Sequence, residues 1–181
     1  MGALILVTGG ARSGKSSFAE HLAAAHGTSV AYIATAQAYD AEMQYRIALH
    51  RARRPASWQT YEAPFRAERA IREASAAHDM LLFDCVTMYL SNILCQVTEE
   101  ELAEEDVLYG HTKRAIGALI EAVQEVDLTA VFVTNEVGAG IVPENRLARH
   151  YRDLAGLANQ QLAAFASSVY AVLCGIPVKI K

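Results

Sequence analysis

The chain has 181 residues, of which 52% are hydrophobic and 20% are charged, a composition typical of a compact globular protein and unlike that of a disordered one. The formal net charge of −4 gives no electrostatic support for a nucleic-acid partner. No apolar run approaches the roughly 20 residues that a membrane span needs, and the three cysteines form no Cys-x-x-Cys pair that would indicate a zinc site or a disulfide framework. Because a strand is predicted to begin within three residues of Met1, we expect no signal peptide and one cytoplasmic domain over residues 1–181.

Residues 9–16 read Gly-Gly-Ala-Arg-Ser-Gly-Lys-Ser and fit the pattern G-x-x-x-x-G-K-[ST]. The fixed positions of that pattern are Gly9, Gly14, Lys15 and Ser16. A predicted strand (residues 3–8) precedes the motif and a predicted helix (residues 17–26, ended by Gly27) follows it, which is the arrangement of a P-loop. Such a loop points backbone N–H groups and the positive end of the helix dipole at phosphate oxygens. The alternative is a glycine-rich turn that happens to contain a lysine.

The side chains of this loop and of a later strand have distinct predicted roles. Lys15 is expected to reach the β- and γ-phosphates of a nucleotide, and the Ser16 hydroxyl to bind Mg²⁺. A second Mg²⁺ ligand is predicted at Asp84, which ends the apolar run of residues 80–83 in the manner of a Walker B strand. The alternative for Asp84 is a side chain that caps the helix predicted to start near Val86.

Two further extended segments are predicted at residues 29–34 and 58–62. Ligands of open α/β sheets bind beyond the carboxyl ends of the strands, so residues 34–36 are expected near the nucleotide. Glu62 also ends an extended segment, although by itself it is better explained as a surface residue. The hydroxyls and the amide of residues 87–92, which open the next helix, are expected to face substrate.

A helix is predicted over residues 40–54, capped by Asp40 and ended by Pro55. Four basic residues in its second half recur at the spacing i, i+4, i+7 and i+8, namely Arg46, His50, Arg53 and Arg54. Their helical spacing places them on one face, which by itself indicates only a solvated helix face. Beside a phosphate loop the same face has a second interpretation, in which His50 attacks a phosphorus while the arginines offset the charge that develops on the phosphate oxygens.

The rest of the chain continues the alternation of strands and helices. A helix is predicted over residues 65–78, and the acidic block at residues 98–106 is predicted to be a solvated turn or a helix start. The predicted elements after it are a helix (107–126), a strand (129–134), a loop suited to bind substrate (135–145), a helix (144–168), a strand (168–174), a turn (175–177) and an edge strand (178–181). This order predicts an α/β fold with a mostly parallel sheet flanked by helices and an antiparallel C-terminal edge.

Several stretches together resemble the bifunctional adenosylcobinamide kinase/adenosylcobinamide-phosphate guanylyltransferases of cobalamin biosynthesis. They are residues 6–16, 32–35, 46–55 (R-I-A-L-H-R-A-R-R-P), 84–87, 133–138 (V-T-N-E-V-G), 141–150 (I-V-P-E-N-R-L-A-R-H) and 178–181. The resemblance runs nearly end to end, and its T-N-E-V-G and V-P-E-N-R elements are more specific than the P-loop. It implies a RecA-like P-loop NTPase fold and a homo-oligomer, with trimers common among members.

The resemblance also implies an activity. Proteins of this family phosphorylate the aminopropanol hydroxyl of adenosylcobinamide with ATP or GTP, then attack GTP with a histidine, release pyrophosphate and pass GMP to the substrate phosphate, giving adenosylcobinamide-GDP. The resemblance places that histidine at His50, with Lys15 as a second catalytic group. The nucleotide contacts that it implies are Gly9, Gly10, Ala11, Arg12, Ser13, Gly14, Lys15, Ser16, Ala34, Thr35, Ala36, Arg51, Ala52, Arg53, Arg54, Glu62 and Asp84. The expected metal ligands are Ser16 and Asp84.

Two other functions remain open on the sequence. The first is a monofunctional small-metabolite kinase, in which His50 only binds phosphate. The second is a nucleotide-driven switch without a small-molecule substrate, whose loops move with γ-phosphate occupancy.

Overall fold

The structure is a computed structural model that describes residues 2–181, with the side chains of Arg46 and Arg53 outside the description. Its strands are β1 (Ala3–Thr8), β2 (Val30–Ala34), β3 (Gln59–Glu62), β4 (Met80–Asp84), β5 (Thr129–Val133), β6 (Ser168–Leu173) and β7 (Ile176–Lys179). Its helices are α1 (Lys15–His26), α2 (Ala41–Arg53), α3 (Ala67–Ala74), α4 (Val86–Leu94), α5 (Glu99–Ala103), α6 (Glu105–Glu125) and α7 (Arg146–Phe165). Within residues 2–181, no helix is both long enough and apolar enough to cross a membrane.

The strands form one sheet in the order β3-β2-β4-β5-β1-β6-β7. All neighbouring pairs are parallel except β6 and β7, which are antiparallel. The predicted sheet with its antiparallel C-terminal edge is therefore confirmed. The edge strand begins earlier than predicted, at Ile176, and Pro177 lies opposite Val172 within it rather than in a turn. A proline is compatible with this position because an edge strand needs no donor on its outer side.

Helices cover both faces of the sheet, as expected for parallel strands that are apolar along their whole length. Every residue of β2 is buried. Helix α1 packs Ala19 and Ala23 against one face, and helices α3, α4, α6 and α7 pack against the other. On that second face Phe83 and Phe132 stack with ring centroids 4.5 Å apart.

The carboxyl ends of five strands lie in one row. Ala34 is paired with Glu62 on one side and with Asp84 on the other, and Val133 is paired with both Asp84 and Val7. The P-loop leaves the sheet two residues after Val7. Its residues therefore start from the same edge as Asp84 and the segment after β2, where ligands of this sheet type bind.

The amino edge of the sheet has a carboxylate clamp that is unrelated to the P-loop. Asp79, directly before β4, accepts hydrogen bonds from the backbone N–H groups of Thr28 (3.1 Å) and Ser29 (2.9 Å), directly before β2. The Thr28 hydroxyl also donates to it. These hydrogen bonds stabilise the ionised carboxylate and lower the pKa of Asp79 from 3.8 to about 2.

Several helices differ from their predicted bounds, among them α7, which spans Arg146–Phe165 rather than 144–168. Helix α3 is shorter than the predicted 65–78, and the acidic block forms α5 and the first turn of α6, which confirms a helix start rather than a turn. The side chain of Thr98 accepts from the N–H of Glu101 (3.2 Å), whose carboxylate accepts from the N–H of Thr98 (2.9 Å). This capping box starts α5 and explains why a run of carboxylates is ordered as a helix.

Candidate active site

The P-loop is shaped by close backbone approaches that only glycine allows. A Cβ on Gly9 would lie 2.6 Å from the carbonyl oxygen of Val172 in β6. Gly14 has a φ of +95° as the N-cap of α1, and a Cβ there would lie 3.1 Å from the Cα of Gly175. The N–H of Gly175 also donates to the carbonyl of Ser13 (2.8 Å). The turn between β6 and β7 therefore supports the loop from outside.

The lysine of the loop is buried, with 8% of its surface exposed. Its ammonium donates to the carbonyl of Gly10 (3.1 Å), so it lies over the loop rather than in solvent. Burial lowers the pKa of Lys15 from its ordinary value, and the nearby Asp84 carboxylate acts in the opposite direction. Ser16 follows as the second residue of α1 and is half-buried. The exposed residues Ala11 and Arg12 complete the loop, Arg12 with a φ of 57°.

Asp84 ends β4 on the face of the sheet that α1 covers. Its carboxylate accepts a hydrogen bond from the hydroxyl of Tyr32 in β2 (2.6 Å). The residue that caps α4 is Cys85, without a side-chain cap, so the structure does not support the helix-capping interpretation of Asp84. Thr35, directly after β2, donates through Oγ1 to the carbonyl of Cys85 (2.8 Å) and accepts from its N–H (2.8 Å). These two bonds fix the segment after β2 against the end of β4.

The residues present fit a magnesium ion of the kind that P-loop enzymes use. Mg²⁺ is commonly bound by one or two carboxylates together with substrate phosphates, and it keeps several waters. Within residues 2–181, no group of three or more His, Cys, Asp and Glu side chains could form an all-protein metal cage. One carboxylate at Asp84 and one hydroxyl at Ser16, beside a phosphate loop, fit a Mg²⁺ site that protein side chains, substrate phosphates and waters form together.

Helix α2 carries the predicted nucleophile and is the most exposed long helix of the site. Asp40 caps it as predicted, accepting from the N–H of Met43 (2.7 Å). None of its described residues is buried, and His50 and Ile47 are half-buried in its C-terminal half. Ala52 is exposed. Arg46 and Arg53 belong to the predicted basic face, but their side chains lie outside the described part of the chain.

The C-terminal end of α2 is attached to the face of the sheet that carries Asp84. Arg51 forms an ion pair with Glu62, which is therefore more than a free surface residue. Arg54 was predicted to lie on the helical face of His50. It does not, because its backbone is already extended at the C-cap. Its guanidinium lies over the ring of Tyr32, 3.2 Å from the centroid, and donates to the hydroxyl of Thr60 (3.3 Å).

The loop at residues 135–145 borders the P-loop. The N–H of Glu136 donates to the carbonyl of Gly9 (3.1 Å). The amide of Asn135 donates to the hydroxyl of Thr87 (2.8 Å), at the start of α4. Farther along, Ile141 and Val142 are 96% and 61% exposed. The loop thus runs from the edge of the P-loop to an exposed apolar tip.

Residues 5–180 match the sequence profile of the CobU family, described as cobinamide kinase / cobinamide phosphate guanyltransferase. The chain belongs to this family. The bifunctional adenosylcobalamin biosynthesis protein CobU of Salmonella typhimurium is 48% identical over 98% of this chain and 99% of its own length. The CobP protein of the same description from Pseudomonas aeruginosa is 43% identical over 97% of this chain and 96% of its own length. Membership confirms the predicted resemblance and the predicted bifunctional enzyme.

Two solved P-loop ATPases share the fold. The RadB recombinase has a TM-score of 0.50 at 14% identity, covering 93% of this chain and 73% of its own. An ATPase from the type III secretion system of pathogenic bacteria has a TM-score of 0.61 at 12% identity, covering 98% of this chain and 56% of its own. At these identities the likeness shows the fold alone, and it confirms the predicted RecA-like architecture.

Two residues near the candidate site of this chain, Tyr32 and Asn92, were missed or misassigned from the sequence. Tyr32 lies inside an apolar strand, and nothing in the pattern distinguishes it from a core residue. Asn92 was expected to face substrate, but it is 1% exposed. Its amide donates to the carbonyls of Thr35 (2.7 Å) and Pro64 (3.1 Å), so it joins two loops at the carboxyl edge. An asparagine in the middle of an apolar helix was the available signal for a buried bridging role.

Two surface clefts lie away from the P-loop. These neighbouring clefts of about 230 and 170 Å³ lie between the α5–α6 region and α7, and His150 lines both. His150 accepts a hydrogen bond from Arg146 (3.2 Å), and His111 pairs with Glu101 (3.2 Å). No P-loop residue lines either cleft. These two clefts therefore do not include the P-loop, and we assign the candidate site from the P-loop geometry.

Proposed function

We propose that this chain acts in the cytoplasm as one domain, residues 1–181, that carries out two consecutive reactions. It phosphorylates the aminopropanol hydroxyl of adenosylcobinamide with ATP or GTP, and then transfers GMP from GTP through a guanylyl-histidine to give adenosylcobinamide-GDP. The observation that supports the proposal most directly is that the predicted groups of both reactions lie at the carboxyl edge of the sheet. The P-loop with Lys15 and the carboxylate of Asp84 lie at the same edge and face on which Arg51 and Arg54 attach the helix of His50.

In the kinase step the protein supplies position and charge. The backbone N–H groups of residues 9–16 and the N-terminus of α1 would bind the phosphates, with Lys15 at the β- and γ-phosphates. Ser16 and Asp84 would hold Mg²⁺, which offsets charge on the phosphoryl group when bound. The substrate hydroxyl attacks the γ-phosphorus and releases its proton to solvent, a new P–O bond forms, and the bond to the leaving nucleoside diphosphate breaks.

In the second step His50 acts as the nucleophile. An imidazole nitrogen attacks the α-phosphorus of GTP, so that a P–N bond forms and the bond to pyrophosphate breaks. A phosphate oxygen of the phosphorylated corrinoid then attacks the same phosphorus, and the P–N bond breaks to regenerate the histidine. Arg51, Arg53 and Arg54 would stabilise the negative charge at the α-phosphate. The remaining nucleotide contacts in this proposal are Ala34, Thr35, Ala36, Ala52 and Glu62.

The loop at residues 135–145 is our candidate for contact with the corrinoid. It starts at the P-loop through the hydrogen bond between Glu136 and Gly9. Its tip exposes Ile141 and Val142, and a bulky amphipathic substrate would bury such side chains. Loops at this edge of an α/β sheet commonly bind ligands.

We also propose a homo-oligomer, with the trimer as the expected form. An aliphatic patch on β6, β7 and the residue after it supports association, because its side chains share one sheet face and remain exposed. The patch consists of Leu173 (62% exposed), Ile176 (64%), Val178 (46%) and Ile180 (63%). The mass from light scattering tests this part, and a monomer at micromolar concentration would contradict it.

Mass spectrometry of the intact protein after incubation with GTP and Mg²⁺ tests the two-step function. We expect a covalent adduct with the mass of GMP, labelled from α-phosphate-labelled but not γ-phosphate-labelled GTP. It should be acid-labile and base-stable, as a phosphoramidate is. A wild type that phosphorylates adenosylcobinamide but forms no adduct would contradict the second step and favour a monofunctional kinase.

A further inference from the structure

The hydroxyl and the ring of Tyr32 are both engaged by site residues. Tyr32 lies in the middle of β2 and is 2% exposed. Its hydroxyl donates to Oδ2 of Asp84 (2.6 Å), and its ring lies under the guanidinium of Arg54 at 3.2 Å. The same phenol therefore contacts the carboxylate predicted for the kinase step and the residue that ends the helix of His50. Neither the sequence motifs nor the family's nucleotide contacts assign it a role.

The hydroxyl contact fixes one orientation of the Asp84 carboxylate. A hydrogen bond to an ionised acceptor is roughly twice as strong as a neutral one. The phenol is the donor of this bond and the carboxylate is its acceptor. With Oδ2 held by Tyr32, Oδ1 is the carboxylate oxygen left for a ligand at the carboxyl edge.

The ring contact fixes the end of α2. Arg54 is the C-cap of that helix, four residues after His50. The Nε of Arg54 is buried and has no hydrogen-bond partner among the described residues, so the ring of Tyr32 and the hydroxyl of Thr60 determine where its guanidinium lies. Because α2 has no buried described residue, this contact and the pair between Arg51 and Glu62 carry much of its attachment.

We propose that Tyr32 is a positioning residue for both reaction steps, whose hydroxyl orients Asp84 and whose ring seats Arg54 and the last turn of the His50 helix. The proposal rests on the proposed function for the roles of Asp84 and His50. It predicts that the two contacts can be separated, since phenylalanine keeps the ring and loses only the hydroxyl.

The hydroxyl is tested by the equilibrium affinity for ATP, measured by calorimetry with and without Mg²⁺ and without corrinoid. Tyr32→Phe should reduce the gain in affinity that Mg²⁺ gives by about tenfold, the effect of one hydrogen bond to a charged group. In the Asp84→Asn background the same substitution should have no further effect on that gain, as a double-mutant cycle requires of residues that act through each other. Tyr89→Phe is the matched control, because Tyr89 is also buried (3% exposed) and contacts Phe83 on the opposite face of the sheet.

The ring is tested by hydrogen exchange of the α2 amides, which needs no turnover. Tyr32→Leu and Arg54→Gln should each speed exchange in the last two turns of α2 by about tenfold, whereas Tyr32→Phe should leave it unchanged. The same two variants should slow formation of the GMP adduct at saturating Mg²⁺. Arg54→Gln changes a half-buried side chain and leaves the Tyr32 ring in place, so it gives an answer even if Tyr32→Leu folds poorly. Arg72→Gln, which breaks a surface pair with Glu125, is the control.

Three results would overturn the proposal. One is an effect of Tyr32→Phe that is equal with and without Mg²⁺, or that persists in Asp84→Asn. Another is a change limited to thermal stability and matched by Tyr89→Phe. The third is α2 exchange that is the same in wild type and Arg54→Gln. A wild type that forms no GMP adduct would instead contradict the proposed guanylyl transfer, while the ATP and exchange measurements would still test Tyr32.

Discussion

The P-loop and helix α2 hold their functional side chains in opposite ways. The P-loop is packed into the sheet, with Gly9 against the backbone of β6 and Lys15 only 8% exposed. Helix α2 has no buried described residue, and its described contacts with the sheet include the ion pair of Arg51 with Glu62 and the Arg54 guanidinium over Tyr32. Segments with few buried contacts open at the lowest free energy. The proposed phosphate-binding loop is therefore part of the packed sheet, whereas the proposed nucleophile, His50, lies on a helix with no buried described residue.

The largest effect that we expect in the P-loop region comes from Lys15→Ala. This substitution removes the one ammonium that the loop aims at the phosphates, and both steps begin with a bound nucleoside triphosphate. Both activities should fall by about two to three orders of magnitude, the usual cost of one preorganised charged donor. Circular dichroism should be unchanged, and Lys113→Ala on the exposed side of α6 should match the wild type. Near-normal turnover in Lys15→Ala would contradict the P-loop assignment.

Two adjacent glycines test how tightly the loop is packed. Gly9→Ala would bring a Cβ to 2.6 Å from the Val172 carbonyl, whereas a Cβ on Gly10 would meet nothing within 4 Å. We expect Gly9→Ala to lower the free energy of unfolding by about 1–3 kcal/mol, typical of overpacking. Gly10→Ala should leave it within about 0.5 kcal/mol of the wild type. Equal stabilities in denaturant titrations would show that the loop is not packed as described.

A smaller, conditional effect is expected at Asp84. If its carboxylate holds Mg²⁺, Asp84→Asn should lower kinase activity about tenfold at low Mg²⁺ and recover partly as Mg²⁺ is raised. The measurement is the rate of corrinoid phosphorylation across a Mg²⁺ titration. A loss of thermal stability with unchanged activity per folded molecule would mean that the carboxylate is structural.

The smallest effect is expected at the opposite edge of the sheet, where Asp79 clamps the starts of β2 and β4. The folded-state pKa of Asp79 is about 2, below its ordinary 3.8, so ionised Asp79 stabilises the fold above about pH 4 and loses this effect as the pH falls through 2. The difference in Tm between wild type and Asp79→Ala should therefore shrink from pH 5 to pH 2. Activity per folded molecule should be unchanged. A constant difference across that range would contradict the clamp.

The sequence predicted the P-loop region well because its determinants are local. The pattern of residues 9–16 fixes the loop, and continuous apolar runs fix buried parallel strands. The same local reasoning predicted the cap of α2 at Asp40. For the acidic block it left a turn and a helix start open, and the capping box at Thr98 decides for the helix start.

The attachment of α2 could not be predicted because it depends on pairing between strands. The ion pair of Arg51 with Glu62 depends on the pairing of β3 with β2, and no local sequence pattern predicts which strands pair. Helical spacing placed Arg54 on the face of His50, but the chain leaves the helix at that residue, so its guanidinium reaches Tyr32 instead. A tyrosine inside an apolar strand has no sequence signal for a contact with Asp84, which is 52 residues away.

The difference between the two regions leads to one decisive measurement. It is the rate of corrinoid phosphorylation and the rate of guanylyl transfer of His50→Ala, measured on the same preparation. Phosphoryl transfer to a hydroxyl needs no protein nucleophile, whereas transfer through a covalent intermediate does. We therefore expect corrinoid phosphorylation within about twofold of the wild type, and neither GMP adduct nor adenosylcobinamide-GDP. His150→Ala, on α7, is the matched control and should retain both activities. A His50→Ala protein that still forms the acid-labile GMP adduct, or that loses both activities while remaining folded, would contradict the account.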